Sequence, residues 1–98
     1  MNANEYINGM ADLLRTTSAE CVKVEDVNGK KRIAAKFHSV SEMNSEMKKA
    51  FIANAETLKA LNAGLKALRA SGEIKSATNC WAPTLPEGGI EFRMDFGF

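Results

Sequence analysis

The chain has 98 residues, with 13 Lys and Arg against 12 Asp and Glu and a formal net charge of +1. That length fits one domain, residues 1–98, with a modest core and no deep substrate cleft. An apolar share of 45% excludes a disordered chain, and one histidine (His38) with two cysteines (Cys21, Cys80) leaves little reactive chemistry.

The opening residues Met1 to Glu5 carry neither a basic nor an apolar signal-peptide region. No apolar run approaches the ~18 residues that a membrane helix needs. Two cysteines are too few for a disulfide scaffold. The expectation is a cytoplasmic protein with reduced thiols and no membrane partner.

Asn4 to Arg15 places Tyr6, Ile7, Met10, Leu13 and Leu14 on one helical stripe. Asn2 with Glu5 resembles a weak capping box, and Thr16-Thr17-Ser18 stops the helix. Glu20–Val27 and Lys30–His38 flank Asn28-Gly29, a pair that favours a type I′ turn. A two-residue loop fixes the register: Val27 faces Lys30, Glu25 faces Arg32, Val24 faces Ile33 and Cys21 faces Lys36. The apolar residues share one face, and Glu25 and Arg32 pair on the other.

A long helix follows. Ser39 with Glu42 reads as its capping box and Gly72 as its left-handed stop. Met47, Phe51, Leu58, Leu61, Leu65 and Leu68 form its stripe, interrupted by Asn44 and Asn54. A row of small residues (Ala53, Thr57, Ala60, Gly64, Ala67) suits close approach to a sheet or a second helix. Val40 to Ala70 would span about 46 Å as one straight helix. A domain of this size is about 33 Å across. The helix should therefore break, or its overhanging leucines should dock on another chain.

Glu73 to Trp81 alternates weakly. That phase places Ile74, Ser76, Thr78 and Cys80 inward, and turns Trp81 away from them. Residues 82–89 are Pro- and Gly-rich punctuation. Ile90, Phe92, Met94, Phe96 and Phe98 then alternate strictly with polar residues and glycine, the mark of a half-buried strand. The fold class is α+β: helix–hairpin–helix–hairpin (α-β-β-α-β-β), a two-layer sandwich in which two helices cover a four-stranded antiparallel sheet. That order resembles the opening of roadblock-type dimerisation modules, a likeness of topology alone.

No constellation carries chemistry. Cys21, Lys36 and His38 share a solvent face without an orienting third group. One histidine and two distant cysteines lack metal-ligand spacing. The glycines form no phosphate-binding loop. No catalytic residue, cofactor or metal is expected, and the chain is not read as an enzyme. Residues 20–72 hold ten basic and six acidic side chains, so the small net charge conceals a basic middle. Lys23, Lys30, Lys31, Arg32 and Lys36 could grip phosphates, although no aromatic row accompanies them for base stacking. Trp81 and Leu85 are candidate protein-binding residues in the Pro-rich loop. Leu58, Leu61, Leu65 and Leu68 are candidates for a homodimer interface, which would use this helix, the C-terminal strand edge, or both. The expected function is a non-enzymatic protein-interaction or inhibitor module. A chain this small suits a phage or mobile-element protein that blocks a host factor. The alternative is a nucleic-acid-binding protein that uses the basic hairpin.

Overall fold

The computed structural model describes residues 1–82, 86 and 88–98. The elements are α1 (Ala3–Leu14), β1 (Cys21–Val27), β2 (Lys30–Phe37), α2 (Val40–Ala53), α3 (Ala55–Ser71), β3 (Ser76–Ala82) and β4 (Ile90–Gly97). All strand pairs are antiparallel, and the sheet order is β1-β2-β4-β3. The fold is α+β as the pattern implies, with three helices among the described residues where two were expected.

The extra helix comes from one residue. Asn54 leaves helical geometry at φ −116° and ψ 35°. Its side chain donates to the Ala50 carbonyl at 2.8 Å, and its backbone N–H donates to the same oxygen at 2.9 Å. An asparagine amide competes in this way with the next turn of the helix. Two helices of about 21 and 26 Å replace one of about 46 Å. The domain's longest extent is 39 Å, shorter than that single straight helix would be.

The caps reverse their expected ranking. Asn2 and Glu5 complete both halves of a capping box. Ser39 accepts from the Glu42 N–H, but Glu42 sends its carboxylate to the Ser18 hydroxyl at 2.7 Å. Glu46 accepts the Ser18 N–H at 3.0 Å, and that bond holds its carboxyl below the ordinary range. Two carboxylates of α2 thus tie down the segment that leads into β1.

The core lies between α1 and the inner face of the sheet. Tyr6, Ile7, Met10, Leu13 and Leu14 of α1 are buried with Ile33, Ala35, Phe37, Ile90 and Phe96. Tyr6 meets Phe96 edge-on, with ring centroids 5.4 Å apart, and burial pushes its phenol pKa up. Leu61 enters the core against Gly9, where a Cβ would lie 2.8 Å from a Leu61 methyl. Gly9 therefore trades helix propensity for close approach of α1 and α3.

The first hairpin has the register read from its turn, pairing Val27 with Lys30 through to Cys21 with Lys36. Asn28 and Gly29 have φ of 52° and 78°, as a type I′ turn requires. The second hairpin departs from the sequence reading. Its first strand begins at Ser76, so Ile74 lies outside it, buried beside the end of α3 with its N–H on the Leu68 carbonyl. Phase counted from Ile74 is therefore inverted. Cys80 pairs with Arg93 on the outer face, whereas Trp81 pairs with Phe92 on the helix side. The row of small residues is also corrected. Ala53, Thr57, Ala60 and Ala67 are exposed, and only Gly64 is half-buried, against Met1.

Candidate protein-interaction surface

The expected nucleic-acid cluster is largely engaged with carboxylates. Lys31 reaches Asp26 at 2.9 Å, and Lys36 lies 3.6 Å from Glu20. Arg32 grips Asp95 with two bonds of 2.8 and 3.1 Å rather than the cross-strand Glu25. That fork holds the Asp95 carboxyl below its ordinary range and raises the guanidinium further. Lys23 and Lys30 remain exposed at the hairpin. Arg93 turns back to Glu91 at 2.7 Å. On the outer face of the sheet Arg32 with Asp95 and Arg93 with Glu91 form ion pairs, while Lys23, Glu25 and Lys30 stay exposed.

The candidate protein-binding leucines divide. Leu61 and Leu68 are 3% and 5% exposed and belong to this chain's own core. Burial within the monomer corrects their assignment to an interface. Leu58 and Leu65 are half-buried and line a cleft. Leu85 lies outside the described residues. Trp81 is 47% exposed although its register with Phe92 places it on the helix side.

The cleft follows from the sheet order. Among the described residues β3 is an edge strand, hydrogen-bonded to β4 alone. Its inner face offers Ala77, Asn79 and Trp81, too small or too far out to fill the space under α3. A cavity of about 500 Å³ remains, with Tyr6 and Met10 as floor and Leu58, Leu65, Phe92 and Ala77 as walls. A second hollow of about 670 Å³ shares Met47, Phe51 and Phe92 with it and runs toward Ile52, which is 69% exposed. Together they form one largely apolar groove, lined on the β3 side by Ala77 and Asn79. The sequence carries a signal for this edge that the alternation reading missed. Ser76 to Ala82 contains no charged residue and no proline, whereas most edge strands are guarded by one or the other.

Cys21 sits opposite Lys36 and Cys80 opposite Arg93, both as free thiols on the outer face. Among the described residues no three His, Cys, Asp or Glu side chains are placed to hold a metal ion, and no helix is long and apolar enough to cross a membrane. Comparison with protein-family models, curated proteins and solved structures found no match.

Proposed function

We propose that the protein is a non-enzymatic protein-interaction module, of the kind that acts by occupying a partner as an inhibitor does. The observation that carries this reading is the juxtaposition of an uncharged seven-residue edge strand, β3, with an apolar groove beside it. A strand edge supplies main-chain hydrogen bonds and the groove supplies burial, the two ingredients of strand-addition recognition. Trp81 is the cross-strand partner of the groove residue Phe92 and is 47% exposed, and a large half-exposed aromatic gains much from being covered.

The nucleic-acid alternative rests on Lys23 and Lys30, since Lys31, Arg32 and Lys36 already face carboxylates. Retention on immobilised DNA or RNA at low salt, lost when Lys23 and Lys30 become alanine, would favour it.

Proline in β3 tests the main reading. Successive strand residues turn their N–H groups to opposite sides. Of Thr78→Pro and Asn79→Pro, one therefore removes an outward N–H and leaves the β3–β4 ladder intact. A protein captured from nuclease-treated extract should be released by the variant that keeps its fold by circular dichroism. Unchanged capture by that folded variant, or loss of everything on nuclease treatment, overturns the proposal.

A further inference from the structure

We infer that the groove takes an extended segment of another protein, apolar in its middle and acidic at its flanks, which joins the sheet as a fifth strand beside β3. This rests on the interaction reading above and names the chemistry of the partner.

The two sheet edges differ in a way that selects one of them. β1 carries Lys23, Glu25 and Asp26 along its length, and the Arg15 guanidinium reaches the Val22 carbonyl at 3.5 Å. β3 runs Ser-Ala-Thr-Asn-Cys-Trp-Ala without a charge. An incoming strand meets repulsion or a filled carbonyl at the first edge and neither at the second.

The groove sets which side chains the incoming strand needs. Alternate residues of an added strand point to the helix side. There they face Ala77 of β3 and Leu65 of α3, both of which line the cavity, so apolar side chains are the ones it buries. The rim sets the charge. Lys48 and Arg69 line the groove, Lys66 and Arg69 line a further hollow of about 550 Å³ that shares Leu65 with it, and no carboxylate lines any of them among the described residues. Such one-sided charge selects partners and speeds encounter.

The same cations argue against a second copy of this chain as the occupant. A two-fold axis through Asn79 would pair β3 with itself. Arg69 lines the cavity beside Ala77 and Asn79, so the axis would bring it toward its own copy. Acidic flanks on a different chain remove that repulsion.

Fluorescence anisotropy with labelled synthetic peptides tests the inference. The probe is a peptide of about ten residues, alternating valine and threonine, with paired glutamates at each end. It should bind at least about tenfold more tightly than the same peptide ending in lysines. Proline at a central threonine should abolish binding. The double variant Lys66→Glu with Arg69→Glu should reverse the preference between the two peptides; both residues are solvent-exposed, and circular dichroism checks that the variant keeps its fold. Equal binding of both peptides overturns the acidic assignment. Failure of both, with partner capture still sensitive to the β3 prolines, overturns the occupant and leaves the interaction module standing. A dimer in sedimentation that the same prolines dissociate makes the occupant a second copy and overturns the inference. Loss of peptide binding and of proline-sensitive capture together removes both readings.

Discussion

The two hairpins of this sheet are built from similar lengths of strand and behave differently. In the first, β1–β2, a two-residue turn fixes the register, and Val22, Val24, Ile33, Ala35 and Phe37 share the helix-side face. In the second, β3–β4, the connection is long and the outer strand is half empty. β4 carries buried Ile90, Phe92, Met94 and Phe96, while its partner β3 leaves Thr78, Asn79, Cys80 and Trp81 exposed. The difference teaches that one hairpin can divide its labour. Its inner strand holds the core together, and its outer strand offers an edge.

That division is sharpest at two aromatic residues. Phe96 is 1% exposed and packs edge-on against Tyr6. Phe96→Ala should lower unfolding free energy by about 3–5 kcal/mol, because it removes a large ring and leaves a cavity. Trp81 is the largest side chain of the same hairpin, yet Trp81→Ala should change stability by only about 1 kcal/mol. Urea unfolding followed by circular dichroism measures both. A Trp81 effect as large as that of Phe96 would make β3 part of the core and close the groove as a binding surface.

The turns differ as well. Gly29 has φ +78° but open space around it, so Gly29→Ala meets backbone strain alone, about 1 kcal/mol. Gly89 has φ +84°, and a Cβ there would stand 2.6 Å from the Phe37 carbonyl oxygen. Backbone oxygen cannot swing aside as a side chain can. Gly89→Ala should therefore cost about 3 kcal/mol, from strain and clash together. Equal melting temperatures for the two variants would show that the start of β4 yields where the contact implies it cannot.

These contrasts locate what the sequence could and could not say. The first hairpin was legible because Asn28-Gly29 is local: turn type, register and facing follow from neighbours in the chain. The break at Asn54 was half legible. A polar residue interrupts the stripe there, but whether it ends the helix depends on its bond to the Ala50 carbonyl, which composition does not encode. The second hairpin was misread for a physical reason. Ile74 is buried as part of the turn after α3, not as part of a strand, so alternation counted from it carries the wrong phase. The leucine stripe signalled burial without saying against what, and Leu61 and Leu68 found their partners within the chain. The groove was hidden because it is defined by what β3 lacks, although the missing charges themselves stand in the sequence.

The smallest effect tests a choice that local pairing rules leave open. Arg32 lies between Glu25 on β1 and Asp95 on β4, and both are its direct cross-strand neighbours. It takes Asp95, where both partners are about four-fifths buried and the fork closes with two bonds. Glu25 stays exposed, where an ion pair is worth little. Asp95→Ala should therefore cost about 1–2 kcal/mol and Glu25→Ala less than about 0.5 kcal/mol. The pH dependence carries the same asymmetry. The folded Asp95 carboxyl titrates below its ordinary value of 3.8, so the unfolded chain binds the proton first. The pair's stabilisation is complete above that value and declines as pH falls through the folded one. Asp95→Asn should flatten this acid limb, while Glu25→Gln should leave it in place. If a double-mutant cycle found Arg32 coupled as strongly to Glu25 as to Asp95, the guanidinium would be shared across three strands, and the outer face would bind the two hairpins more evenly than this geometry implies.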